Sequence, residues 1–178
     1  MLIDTHAHLD YPDFANDLPA IIEAARAAGV TRIITIGTGV ESSRRAVALA
    51  ERFENIHAVV GLHPTNVDDE KGDWLDEIRK LAAHPKVAAI GETGLDYHHL
   101  PSEKLASAPA ISALQAEMSQ DTEAAIIDGA YKAAQAEAFA AQLDLAAELG
   151  LNVVIHQRDA WDDTLEILKN YTGKLRGV

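Results

Sequence analysis

A chain of 178 residues can bury one sizeable core and suggests one domain, or a piece of a larger one. Its formal charge of −13 argues against broad electrostatic capture of nucleic acid, while leaving room for an enzyme that meets one phosphate at a metal centre. The absence of cysteine excludes disulfides and thiolate metal sites and fits a reducing cytoplasmic setting; no signal segment or membrane-length apolar run is present, and any metal must be held by His and carboxylates, which suits Zn, Mn or Mg.

Residues 2–5 read as a short buried strand with His6 and His8 at its C-terminal end. Side chains two apart on a strand share a face at roughly 7 Å spacing, so one ion can be reached by both imidazoles. Asn16, Asp17 and Pro19 mark a helix start, with a capping side chain ahead of a first-turn proline, and Gly29 stops that helix after Ala28. Residues 32–37 form a continuous apolar strand. Ser42 or Ser43 is expected to cap a second helix ending near Phe53. Residues 56–62 form a third strand, Asp73 begins a third helix reaching Ala83, and 86–92 form the fourth strand. A long helix ends at Leu149 and Gly150, residues 152–156 form the fifth strand, and Asp159 or Ala160 begins a helix running to about Tyr171. Residues 174–178 start a sixth strand.

Strands that are apolar throughout belong to a parallel sheet covered on both faces, and their alternation with helices gives an α/β fold, doubly wound or a (β/α)8 barrel. The polar candidates decide between them. His6 and His8, His63, Glu92 and His156 fall at or just past the C-terminal ends of strands one, three, four and five, where a barrel gathers them around one mouth. No Gly-x-Gly-x-x-Gly turn follows strand one. The expected architecture is therefore a TIM-type (β/α)8 barrel, of which residues 1–178 supply about the first five to six strands. The segment at about 98–130, rich in helix formers, is expected to be a helical insertion after strand four, near the mouth, either as a lid or as solvated decoration.

A carboxylate at the end of a buried strand, as in Gly91-Glu92-Thr93-Gly94, needs a partner charge, a metal or a proton. Imidazoles and a carboxylate at one mouth are the donor set of a catalytic divalent site, and a glutamate can bridge two ions roughly 3.5–4 Å apart. Taken together, Ile3-Asp-Thr-His-Ala-His-Leu-Asp10, Gly61-Leu-His-Pro64, Ile90-Gly-Glu-Thr-Gly-Leu-Asp-Tyr97, Gln135-x-x-x-Phe139-x-x-Gln142-Leu-x-Leu-Ala146 and Ile155-His-Gln-Arg-Asp-Ala160 resemble the TatD family of metal-dependent deoxyribonucleases, among the amidohydrolase-like barrel enzymes. The resemblance covers nearly the whole chain except the insertion.

That resemblance implies one or two divalent ions (Mg, Mn or Zn), with His6 and His8 on one, His156 on the second and Glu92 bridging. It places His63, Asp96 and Arg158 in the phosphate pocket. It implies hydrolysis of DNA phosphodiester bonds, as a 3′-5′ exodeoxyribonuclease, with a nucleotide phosphodiester as substrate and neither a membrane nor a stable protein partner. Gln157 stands where the family usually has Ser, and His57, His84, His98 and His99 match no ligand position, although His98 and His99 open the insertion. The family also has a further histidine after strand six and an aspartate after a later strand, beyond residue 178, so no general base is named and the chain is expected to be a fragment of low activity. Two other readings stand beside this one: a hydrolase of small esters, lactones or amides on the same barrel, and a non-catalytic protein that acts by association.

Overall fold

The computed structural model describes residues 1–106 and 117–176. Each apolar run becomes a strand of one parallel sheet: β1 (Leu2–Ala7), β2 (Val30–Ile36), β3 (Ile56–Val60), β4 (Val87–Asp96) and β5 (Asn152–Arg158). The strands lie in the order β1-β2-β3-β4-β5. A doubly wound sheet reverses its strand order at a switch point. Here each strand pairs with its predecessor, so the sheet is half the wall of a TIM-type barrel. The helices are α1 (Leu18–Ala27), α2 (Val40–Arg52), α3 (Trp74–Ala82), α4 (Pro101–Ala106), α5 (Glu117–Leu149) and α6 (Trp161–Lys169).

Alternation along the strands sorts apolar side chains onto two faces. Ile33, Ile56, Val60 and Ile90 pack in one cluster with Ile22 of α1, Ala46 of α2, Ile78 of α3 and Leu145 of α5. Side chains of opposite parity, Ile36, Val59 and Ala89 with Ile34 and Val154, form a small separate cluster, the beginning of a barrel lining. Under α5 and α6, Leu95, Phe139, Leu143, Ala160 and Tyr171 make a third cluster.

Several boundaries follow the sequence signals. Pro19 sits in the first turn of α1, and Gly29 ends it at φ 93°. The Asp73 side chain caps α3 by accepting from Asp76 N–H at 3.2 Å. Other expectations fail for physical reasons. β1 is not buried: Leu2 and Ile3 are 60% and 47% exposed, because β1 is an edge strand with a neighbour on one side only. Asp17 occupies the N-cap of α1 without a side-chain hydrogen bond. Neither Ser42 nor Ser43 caps α2. The helix starts at Val40, whose N–H is met by Glu70 Oε1 at 2.7 Å, leaving both serines inside the helix to bond elsewhere. The sixth strand is represented by a single parallel bridge, Asn152 to Arg176, with 177–178 outside the described residues. Of the helical stretch expected over 106–118, residues 107–116 also lie outside them. The stretch from 122 to 134 belongs to α5, continuous to Leu149.

Two glutamines seven residues apart on α5 share its buried face with Phe139 and end on the sheet rim. Gln142 accepts from Leu62 N–H (2.8 Å) and donates to Leu62 O (3.0 Å) and Thr93 Oγ1 (2.6 Å). Gln135 does the same for Asp96, with N–H to Oε1 at 2.9 Å and Nε2 to the carbonyl at 3.1 Å. Each amide thus stands in for a neighbouring strand where the ladder of β3 or β4 ends. Gln142→Leu should leave the Leu62 N–H and carbonyl buried without partners and cost about 1–3 kcal/mol, read as a lower urea midpoint with unchanged slope.

Candidate metal centre

Both strands that open the site break register where their polar residues stand. From Asp4 to Ala7, β1 advances three residues while β2 advances two, from Ile33 to Thr35. From Ile90 to Thr93, β4 again advances three while β5 advances two, from Val153 to Ile155. An extra residue in one strand re-aims a side chain, and the residues so turned include His6 and Glu92. Gly91 makes the second bulge possible. At φ 145° its backbone runs so close to β5 that a Cβ would lie 2.5 Å from Val154 O. The Gly91–Glu92 peptide is cis, and Glu92 N–H donates across the sheet to Gly37 O at 3.2 Å.

Three imidazoles surround the Glu92 carboxylate. His6 Nε2 and His8 Nε2 lie 3.5 and 3.9 Å from Oε2, and His156 Nδ1 lies 3.3 Å from Oε1. Donor atoms of His6, His8 and Glu92 all fall within 4.8 Å of one another, as do those of His63, Glu92 and His156. Glu92 belongs to both groups. Partners behind the rings set which nitrogen carries the proton. His8 Nδ1 is 3.1 Å from Ile36 O, which can only accept, so the lone pair of the neutral ring is on Nε2, facing Glu92. His63 is arranged the other way: its Nδ1 accepts from Thr65 N–H at 3.2 Å, leaving Nε2 as the donor.

Charge is sorted within the cluster. Burial, with the neighbouring His156, pushes His63 down to about 4, so its ring is neutral near pH 7. The Glu92 hydrogen bond, assisted by Asp96, raises His156 above the ordinary imidazole value. Burial pushes the Glu92 carboxyl up, but the His156 hydrogen bond and nearby imidazoles together carry it below the usual carboxylate range.

The loop after β1 is tethered to β2 and α2. Leu9 N–H donates to Thr35 Oγ1 (3.2 Å), and the fully buried Asp10 side chain accepts from Ser42 Oγ (2.8 Å) and Arg45 Nη2 (2.9 Å). Asp96 ends β4 with its carboxylate enclosed by His156, His98 and His99. Arg158 is exposed at the end of β5, and among the described residues its side chain has no hydrogen-bond partner. Gln157, with its amide oxygen turned toward donors, accepts from the N–H groups of Asp159, Ala160 and Trp161 and so caps α6. His84 faces Glu51 at 3.3 Å and His57 lies in β3, both apart from the cluster. The residues that sequence reading left without a role, Thr65, His99, Gln135 and Gln142, all act behind the cluster. Only the glutamines carried a readable signal, as two amides on an apolar helix face.

A family model described as TatD related DNase matches residues 3–178. The chain is 37% identical over 169 residues to the uncharacterized metal-dependent hydrolase YabD of Bacillus subtilis, covering 95% of this chain and 55% of that protein. It is 33% identical over 177 residues to a protein named 3′-5′ ssDNA/RNA exonuclease TatD of Enterobacter lignolyticus, covering 99% and 57%. The solved structure of YJJV, a TatD homologue of Escherichia coli, superposes with a TM-score of 0.73 at 28% identity, covering 96% of this chain and 56% of the other. The chain spans about half the length of the curated relatives it matches.

Because a ligating imidazole must give up its proton, Mn²⁺ binding should release protons. Its sign follows from the raised His156 value: release is larger at pH 6 than at pH 8, and affinity grows as pH rises between them. Calorimetric titrations in buffers of different ionisation enthalpy measure this. Glu92→Ala should abolish the binding heat with little change in the melting curve.

Proposed function

The chain belongs to the TatD-related DNase family, and from that premise we propose that its mouth holds one or two divalent ions and serves hydrolysis of DNA phosphodiester bonds, acting on single strands from the 3′ end. The observation that carries the reading is that one carboxylate, Glu92, lies 3.5 and 3.9 Å from ring nitrogens of His6 and His8 through one oxygen and 3.3 Å from His156 through the other. The donor set fits such ions: lone pairs of His8 and, when its Nδ1 is unprotonated, of His156 point at the same carboxylate, which is ionised near neutrality. The relatives' names, a metal-dependent hydrolase and a 3′-5′ ssDNA/RNA exonuclease, support the class of reaction and substrate.

When bound, divalent ions would supply Lewis-acid polarisation of a phosphoryl oxygen and a lowered pKa for water. His6 and His8 would hold one side of the site and His156 the other, with Glu92 between them. His63 donates its Nε2–H to a non-bridging phosphoryl oxygen. It remains neutral as it does so, because burial keeps its pKa low. The exposed Arg158 guanidinium meets a phosphate farther along the strand. Proton abstraction from the attacking water is assigned to no residue of this chain.

A second reading, hydrolysis of a small ester, lactone or amide, draws on a cavity of about 530 Å³ lined by Tyr97, Gln157, Trp161 and three carboxylates, Asp159, Asp162 and Asp163. Such a lining repels a phosphate backbone.

Given Mg²⁺ or Mn²⁺, a chain extended to the length of its relatives should shorten 5′-labelled single-stranded DNA progressively from its 3′ end, EDTA should stop it, and residues 1–178 alone should turn over little. His63→Ala should lower kcat/KM by roughly tenfold or more, the worth of one hydrogen bond to a charged group. Intact DNA together with metal-dependent cleavage of small esters would transfer the assignment to the second reading.

A further inference from the structure

We propose that Asp96 is a positioning residue that fixes the His156 ring, and that His99 positions Asp96 in turn. The inference rests on the metal-centre reading above and assigns a role to two residues outside the donor set.

Strand alternation puts Glu92, Gly94 and Asp96 on one face of β4, and Gly94 lies directly across from His156 on β5. With no side chain at the middle position the strands close up: a Cβ at Gly94, where φ is 144°, would fall on the His156 carbonyl oxygen. The His156 ring then lies between the two carboxylates. Its Nδ1 is 3.3 Å from Glu92 Oε1, and its Nε2 is 3.1 Å from Asp96 Oδ2.

Asp96 is poorly placed to touch substrate, since its side chain is 1% exposed. A carboxylate so enclosed must have its lone pairs filled, and they are. Oδ1 accepts from the N–H groups of His98 and His99, each at 3.0 Å, and His99 Nδ1 lies 3.1 and 3.0 Å from Oδ1 and Oδ2. The Asp96 backbone is gripped by Gln135 at both its N–H and its carbonyl. An acceptor held this firmly has one consequence for its neighbour. Glu92 and Asp96 can both only accept, so in the metal-free chain each ring nitrogen of His156 meets an acceptor; with an ion on the Glu92 side, Asp96 is the partner that would keep a proton on Nε2 and leave the Nδ1 lone pair for the ion. Carboxylates behind ligating imidazoles orient the ring and raise its basicity in this manner. The chain of contacts runs outward through His99 to the segment that leads into α4, beside His98, whose Nδ1 meets Asp159 Oδ2 at 3.0 Å. The fork Glu92-x-Gly94-x-Asp96 opposite one histidine is thus a ring holder built by strand geometry.

Two measurements test it. In the metal-free chain with ¹⁵N-labelled histidine, His156, assigned by loss of its signal in His156→Gln, should show an exchange-protected, low-field Nε2–H proton hydrogen-bonded to Asp96. Absence of that protected Nε2–H signal in the wild-type chain overturns the proposal. In Mn²⁺ titrations, Asp96→Asn should weaken binding by roughly ten- to a hundredfold, with loss of the protected Nε2–H signal of His156. His99→Ala, at a half-exposed ring whose loss leaves the fold intact, should weaken it by a smaller factor, on the order of threefold. Wild-type affinity in a folded Asp96→Asn overturns the role of Asp96, and wild-type affinity in His99→Ala overturns that of His99. A wild-type chain with the protected Nε2–H signal but no Mn²⁺ binding would instead sink the metal-centre reading and leave the ring holder standing.

Discussion

An ionised carboxylate partly withdrawn from water within a strand is stable only if its surroundings replace the lost hydration, and Glu92 of β4 sets that condition for this rim. Three imidazoles lie between 3.3 and 3.9 Å from its oxygens. They cannot all answer it with a proton, because they crowd each other and a fourth ring: the His6 and His8 centroids are 5.1 Å apart and those of His156 and His63 4.3 Å. The cluster settles this by division of labour. His156 is favoured in its charged form, His63 is driven neutral, and the carboxyl is carried below its usual range. Such a group answers a cation well, since an imidazole offers a lone pair once it gives up its proton and the negative charge is already in place.

Aiming Glu92 and His6 inward has a structural consequence. Each stands within a bulge, and a bulge leaves ladder hydrogen bonds unmade. The rim is therefore stitched by side chains instead of by strand pairing. Gln142 and Gln135 serve the backbone at Leu62 and Asp96, Thr35 serves Leu9, and Ser43 Oγ serves Gly61 N–H at 3.1 Å. An amide side chain suits the task because it presents a donor and an acceptor side by side, as a peptide does. Helix α5 thus contributes more than a cover for the sheet. Its glutamines fix the strand ends on which the candidate donors stand, so packing behind the rim and geometry at the mouth are one problem.

The architecture was legible because it rests on short-range signals. The apolar runs, the stop at Gly29, the Asp73 cap and the placement of His6, His8 and His63 at or just past the ends of β1 and β3 survive in the structure, whereas β4 and β5 run on past Glu92 and His156, which lie within them. What was not legible depends on who sits next to whom. Burial of β1 was misjudged because an apolar strand looks the same whether it has one neighbour or two, and only the pairing shows it to be an edge. Ser42 and Ser43 looked like caps by local rule, yet a distant Glu70 takes that role. Asp96 was placed with Arg158 in a phosphate pocket by motif alone, whereas the first is enclosed and the second is exposed. The register breaks, which aim the two residues that matter most, leave no mark in composition beyond the glycine at position 91.

The acidic balance of the chain bears on how such a mouth could attract phosphate. At physiological salt, charges farther away than about 8 Å are largely screened, so the net −13 counts for less than the groups lining the approach. Those groups are mixed. Arg158 is exposed beside the cluster and Lys132 lies over the Tyr97 ring at 4.4 Å, but Asp159, Asp162 and Asp163 line the adjoining cavity, and His63 is neutral. Protein cations alone therefore do not make this rim attractive to a polyanion. Each divalent ion would add two positive charges at Glu92 itself, inside the screening distance and next to the His63 donor. In this reading substrate binding and metal loading are coupled through local electrostatics, in contrast to a basic groove that binds nucleic acid whether or not its site is filled.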